Sequence, residues 1–379
     1  MSMPDAEAAP PAPPSFETLL ARPDLAWMGQ NTTHLEPPPE VVDALIASTR
    51  SREFQLYAPP LGLTELRELV LRDLGLVDAD AWITDGAVGG LHHICTALAG
   101  SLSRVVTTDP GWPWPTRFAG LVGVPVSTLD LYDPARGYRV GADQIAQVLE
   151  PGALIYLIDP LNPLGSRYPR AEIEQIVDLA RASGSLIVHD CTYRHFADGH
   201  TLAAELYPEG TFTTYSFSKW LGLAGLRLGA VVAAPELLAR LTAVPSNPLG
   251  ANIQAQRAAI AGLRVKEPWL RHLRAVNRQN QAVLIEAIGR SGIGRVLVDP
   301  SHGNFLAVDV AAAGLHSEAV CATVLAQDVF IRSGTYQSPR FGDRFVKIST
   351  SVPPAWAERC AEAWGTLRPA APVRDEVQA

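Results

Sequence analysis

The apolar positions of the chain follow two rhythms, and the change between them divides it. From Tyr57 to about Val232, helical stretches over Leu63–Leu74, Gly90–Leu98 and Ala171–Ala182 alternate with short apolar runs. Those runs are Arg104–Thr107, Leu154–Ile158, Ser185–His189, Thr211–Tyr215 and Ala230–Ala233. Several are β-branched, continuous rather than alternating, and bounded by turn residues, which is the pattern of strands covered on both faces by helices. The pattern predicts a mostly parallel sheet between layers of helix. After Val244 a long amphipathic stretch, Glu267–Arg290, leads to strands at Val296–Val298 and Phe305–Val308. A helix at Ser317–Gln327, a strand at Phe345–Ser349 and a helix at Ala355–Leu367 follow, which predicts a smaller α+β domain joined by a long helix. The expected division is a disordered Pro/Ala-rich leader (1–14), an N-terminal segment joining the small domain (15–54) and a large domain (55–255). The interdomain helix with the small domain (256–369) and a polar tail (370–379) complete it.

Composition narrows the function. A chain of 379 residues suits two domains on one framework, and 47% hydrophobic with 18% charged residues is ordinary globular usage. The net charge of −8, with no basic run, gives no reason to expect nucleic acid as a partner. No apolar stretch reaches about 18 residues, and the first residues lack the basic start and apolar middle of a signal peptide. No membrane association and a cytoplasmic location are therefore expected. Cys95, Cys191, Cys321 and Cys360 are scattered without C-x-x-C spacing, so the expectation is four buried thiols and no metal site.

The chemistry concentrates in segments that follow the apolar runs. Ser216-Phe217-Ser218-Lys219, with glycines at 222 and 225 and Arg227 beyond, combines a lysine with hydroxyls, glycines and a guanidinium. An amine that attacks a carbonyl must be a free base, and the flanking residues suit a phosphate approached by backbone and held by a fork of donors. Asp190 ends another run, at the rim where open α/β sheets bind ligands; it serves there either as a helix cap or as an anion facing a ring nitrogen. Asp159-Pro160-Leu161-Asn162 forms a turn after a third run and can bring the Asn162 amide to the same edge. Thr84-Asp85-Gly86-Ala87 joins a short strand to a helix whose first amides are free for an anion. Asp109-Pro110-Gly111-Trp112 offers an indole either to a domain interface or to a planar cofactor, and Tyr57 precedes the first large-domain helix.

Taken in order, Tyr57 to Gly62, Gly86-Ala87, Asp109-Pro-Gly-Trp112, Asn162-Pro-Leu-Gly165, Asp190-x-x-Tyr193 and Ser216-x-Ser218-Lys219 with Arg227 resemble the signatures of fold-type I enzymes dependent on pyridoxal phosphate (PLP). The resemblance is to the aspartate and histidinol-phosphate aminotransferase group and spans about residues 25 to 367. It implies an α/β fold with a large PLP-binding domain and a smaller one. It also implies that Lys219 forms the Schiff base, Asp190 pairs with the pyridine nitrogen, and Asn162 and Tyr193 hold the ring oxygen. Ser216, Ser218 and Arg227, with the amides of Gly86 and Ala87, would hold the phosphate. Trp112 would stack on the ring, and Tyr57 would reach the phosphate of the neighbouring subunit in a homodimer.

One departure stands out. The family binds the substrate α-carboxylate through an arginine in a late strand reading roughly Val-Arg-Ile-Ser, whereas this chain has Phe345-Val346-Lys347-Ile348-Ser349. Lysine is a point charge without the planar fork of arginine. Arg332, Arg340 and Arg344 lie nearby in sequence. Thr33 and His34 fall where the family has a substrate-lining loop, and His189 reads as a packed strand residue. The expected activity is amino transfer from an amino acid or amino-acid-derived substrate. Other PLP chemistry, such as decarboxylation, elimination or cyclisation, is the alternative that Lys347 raises.

Overall fold

The apolar runs pair into one seven-strand sheet in the computed structural model, which describes residues 15–369. The expected leader, 1–14, and tail, 370–379, lie outside the described residues. In chain order the strands are β1 (Asp80–Thr84), β2 (Val105–Asp109), β3 (Val126–Asp130), β4 (Leu154–Ile158), β5 (Leu186–Asp190), β6 (Thr211–Ser216) and β7 (Gly229–Ala233). They lie in the order β1-β7-β6-β5-β4-β2-β3. All run parallel except β7, which is antiparallel to both of its neighbours. Every residue of β4, β6 and β7 is buried, which is why their sequences run continuously apolar or β-branched instead of alternating. Edge strand β3, with no fully buried residue, carries no such run and has no counterpart among the sequence expectations.

Helices cover the sheet through their apolar stripes. Arg170–Ala182 buries Ile173, Ile176, Val177 and Ala180, the spacing of one helical face. The helix expected from Gly90 begins at Gly86 instead. Its three glycines weaken intrinsic helix propensity, but packing against β7 overrides that preference.

The second sheet has four antiparallel strands: β8 (Arg295–Val296), β9 (Phe305–Asp309), β10 (Arg332–Ser333) and β11 (Phe345–Ser349), ordered β10-β11-β9-β8. The long helix spans Lys266–Ser291, 26 residues, and follows a separate helix over Ile253–Arg264. Buried amides on the long helix satisfy loop carbonyls: Asn280 Nδ2 donates to Thr350 and Val352 at 2.9 and 2.8 Å, and Gln281 Nε2 to Gly303 at 3.1 Å. Unpaired, those carbonyls would each carry a desolvation cost. The N-terminal segment joins this sheet's side of the molecule, where Ala26–Trp27 pairs in parallel with Val329–Phe330. No helix among the described residues is long and apolar enough to cross a membrane.

Trp364, fully buried behind the small sheet, donates its indole N–H to the Ile293 carbonyl at 3.0 Å. Trp364→Ala leaves a large cavity and an unpaired carbonyl, so denaturant titration should show a loss of about 3–5 kcal/mol.

Candidate active site

The carboxyl ends of parallel strands gather at one rim of a sheet, and here they open on a cavity of about 450 Å³. Ala87, Trp112, Asn162, Asp190, Tyr193, Ser216, Ser218, Lys219, Arg227 and Lys347 all line it. They arrive from β1, β2, β4, β5 and β6, from the entry to β7, and from β11.

Asp190 is buried yet fully engaged. Its Oδ1 accepts from Thr192 N–H at 3.1 Å, Thr192 Oγ1 at 2.6 Å and Thr214 Oγ1 at 3.0 Å, and its Oδ2 accepts from Tyr156 Oη at 2.7 Å. Four donors hold the carboxylate in one orientation. Thr214 stands beside Asp190 because the two are register partners on β6 and β5.

Lys219 donates from Nζ to the Gln30 carbonyl at 3.1 Å. Burial is the main reason its pKa falls from 10.5 to about 8; the Arg227 charge lowers it further, and the Asp190 charge opposes. Thr33 Oγ1 holds the Lys219 carbonyl at 2.5 Å.

Asn162 Oδ1 accepts from Gln337 Nε2 at 2.8 Å, Lys347 Nζ at 3.1 Å and Asn31 Nδ2 at 3.5 Å. The same Asn31 amide donates to Tyr193 Oη at 3.1 Å. With its oxygen saturated, the Asn162 NH₂ is the group left to face the cavity.

Backbone closeness builds the opposite wall. A Cβ on Gly86, whose φ is +78°, would sit 2.5 Å from Arg227 Nη2. A Cβ on Gly229 would sit 2.4 Å from Ala87 N, so only glycine lets β7 start beside the 86–87 turn. The Asp85 side chain does not cap the helix from Gly86; it accepts from Asn247 instead, so the first helical amides carry no side-chain cap.

Thr33, His34 and Gly86 do not line the cavity, and Tyr57 is expected at the neighbouring subunit's site. Thr33 points back to Lys219 and Ser351, and His34 is held by Thr32 at 2.9 Å and packs on Trp356, so the loop contributes Gln30, Asn31 and Thr32 instead. The pKa of His34 is lowered by burial. Tyr57 is 78% exposed. Gly86 stands just behind the lining, against Arg227. The sequence reading gave no place to Asn31, Tyr156, Thr214 or Gln337, and it noted Arg332 only as an arginine near Lys347. Thr214 could have been found from strand register, whereas the others come from loops or from a strand's buried face.

His189 is buried, as a packed strand residue should be, and the ligating atoms of His189, Cys191 and His200 lie within 4.8 Å of one another. The His189 Nδ1 accepts the Ala203 N–H at 3.1 Å, which leaves its proton on Nε2, facing Asp159. His200 Nε2 donates to the Asp159 carbonyl at 2.9 Å. The His189 Nε2 lies 3.8 Å from the buried Asp159 carboxylate, and His200 binds that residue's main chain. Cys95, Cys191 and Cys360 are buried free thiols, and Cys321 is half-buried.

A family model for aminotransferase class I and II matches residues 23–363. The chain belongs to the class I and II aminotransferases. It is 30% identical over 352 residues to a histidinol-phosphate aminotransferase of Rhodospirillum centenum, covering 90% of this chain and 91% of that one. Among solved structures, an aminotransferase from Mycobacterium tuberculosis superposes with a TM-score of 0.80 at 24% identity, covering 92% and 93% of the two chains. The N-succinyldiaminopimelate aminotransferase of the same organism gives a TM-score of 0.80 at 21% identity, covering 92% and 95%. These structural likenesses establish the fold-type I architecture of this aminotransferase.

The depressed pKa of Lys219 has a measurable consequence for the cofactor-free aminotransferase. Folding disfavours protonation of this amine, so its contribution to stability is fully present above 10.5 and is lost as pH falls toward about 8. Lys219→Met should therefore melt at a higher temperature than the native apoprotein at pH 7. The gap should close as pH approaches 10.5, which calorimetry across that range would check.

Proposed function

We propose that this aminotransferase uses pyridoxal phosphate held at the cavity described above, with Lys219 as the residue that binds it covalently. The observation that carries this reading is the pairing, at the ends of adjacent strands β6 and β5, of an amine shifted toward its free base and a carboxylate fixed by four hydrogen bonds. The residues present suit a planar ring with a basic nitrogen at one end and a phosphate at the other. The glycine cradle at 86 and 229, closed to any Cβ, lets backbone approach an anion beside Arg227, Ser216 and Ser218. Trp112 offers an aromatic face to the ring, and the Asn162 amide and Tyr193 hydroxyl are donors for its oxygen. When bound, the group supplies an aldehyde that exchanges amines and a protonated ring that withdraws electrons.

The chain's own residues then divide the work. Asp190 would face the ring nitrogen and hold a proton there, and Thr192, Thr214 and Tyr156 keep its carboxylate aimed. Lys219 Nζ would be the base that takes the proton from the substrate's α-carbon. Arg227 and the uncapped amides at 86–87 hold the phosphate. The substrate class we propose is an amino acid or amino-acid-derived amine donor. We further propose a homodimer in which Tyr57 reaches the neighbouring subunit's phosphate site. Its support is an exposed apolar stretch, Phe54, Leu56 and Tyr57, at 57%, 62% and 78% exposure.

Two substitutions test the reading. Lys219→Ala should abolish borohydride-reducible attachment of the cofactor while equilibrium dialysis still detects noncovalent binding; a labelled lysine elsewhere would refute the assignment. Asp190→Ala removes the anion opposite the ring nitrogen, and turnover in steady-state kinetics should fall at least about a hundredfold, equivalent to about 2.7 kcal/mol in the barrier. Native-like turnover in that variant would remove Asp190 from the mechanism.

A further inference from the structure

Four cationic side chains line the cavity, and three of them are engaged by the protein. Arg227 donates to the Ala224 carbonyl at 2.7 Å, Lys219 to the Gln30 carbonyl at 3.1 Å and Lys347 to Asn162 Oδ1 at 3.1 Å. Arg332 has neither a hydrogen bond nor an ion pair with any described residue. Its guanidinium is instead held by its faces, with the Tyr336 ring centroid 4.1 Å away and that of Phe16 5.2 Å away. Tyr336 is itself fixed, accepting the Trp114 indole N–H at 3.2 Å. Ring contacts of this kind leave the N–H donors of the guanidinium unused, and a partly buried guanidinium with unused donors is suited to an anion.

Lys347 sits directly beside it. Arg332 and Lys347 are register partners on antiparallel β10 and β11, so their side chains leave the sheet on the same face. The surroundings of Lys347 are unlike those of a carboxylate receptor. Its ammonium nitrogen position is buried, lies 5.5 Å from the Phe305 ring centroid, has no carboxylate within ion-pair distance among the described residues, and is bonded to an amide oxygen. Burial, with the charges of Arg332 and Lys219 close by, holds its pKa well below the lysine range.

We propose that Arg332 receives the α-carboxylate of the substrate, one strand across from the position where related enzymes carry that arginine, and that Lys347 is a positioning residue that holds Asn162. The assignment rests on the reading of the cavity as an amino-acid site given above. It divides between two side chains what a single arginine on β11 would do. Arg332 supplies the planar fork. Lys347 donates to Asn162 Oδ1 alongside Gln337 and Asn31 and turns the amide NH₂ toward the cavity.

The test uses the native holoenzyme and each of the twenty protein amino acids as donor, read by loss of the visible absorbance band, with the fastest donor carried forward. Arg332→Gln should raise KM for that donor at least about thirtyfold, the scale of a lost charge-assisted pair, with the cofactor band and melting temperature unchanged. Arg332→Lys should recover only part of that loss, since the fork is not restored. The native enzyme should show a similar penalty toward the decarboxylated amine of the same donor, and Arg332→Gln should no longer distinguish the two. Lys347→Met should instead lower kcat and shift the cofactor band while KM stays within about threefold. A native KM in Arg332→Gln, a thirtyfold KM rise in Lys347→Met, or equal use of the amine by the native enzyme would each overturn the assignment. Absence of reducible cofactor at Lys219 would instead refute the reading of the site, and is scored separately by mass spectrometry.

Discussion

One amide oxygen ties the two halves of the site together. Oδ1 of Asn162 stands at the end of β4 in the large sheet and accepts from Lys347 on β11 of the small sheet, from Gln337 in the loop between them and from Asn31 in the N-terminal segment. Three donors, two from the 337–347 stretch and one from the N-terminal segment, converge on one acceptor in a buried setting, where leaving any of them unpaired is costly. The relative placement of the small sheet, the N-terminal loop and the strand ends of the large sheet therefore depends on this point. It also explains a further tie between the same segments, the Gly111 N–H donating to the Gln337 carbonyl, which brings the loop bearing Trp112 under the same control.

Around that hub the charges are graded by how they are solvated. Asp190, buried, has four donors in place of water. Lys219 is offered one carbonyl and gives up part of its basicity. Lys347, bonded to an amide oxygen in an apolar wall, is likewise held well below the lysine range. Arg332, whose guanidinium stays charged in almost any protein setting, keeps its charge and is left with aromatic faces for company. A single electrostatic logic thus separates the groups suited to move protons from the group suited to hold an anion.

Much of this was legible in the sequence, for physical reasons that also mark where legibility ends. β4 was read to the residue because a strand buried on both faces must be apolar throughout, and the residues that end β4, β5 and β6 bear the polar signatures because strand ends are where side chains reach a ligand. β3 was missed because an exposed edge imposes no such pattern. His34 was placed at the cavity by position in the chain, but a ring that can pack on Trp356 and bond Thr32 turns away from it. Gln337 and Asn31 carry no local mark at all, and Arg332 is marked only by lying near Lys347 in the chain. Their roles come from cross-strand register and from loops that meet residues more than a hundred positions away, and nothing in local periodicity records that.

The connection between β6 and β7 bears on how the site meets its ligand. Residues 217–228 form a closed loop between antiparallel strands whose ends are locked by the pairing of Ser216 with Gly229. Lys219 and Arg227 sit within that loop, and Arg227 adopts a left-handed backbone, φ +53°, that a free chain would seldom visit. The conformational entropy of bringing amine and guanidinium to one side of a ligand is thus spent when the protein folds, against the hydrogen bonds and burial of two central strands. A ligand arriving later meets groups already arranged, and more of its interaction energy is expressed as affinity and orientation.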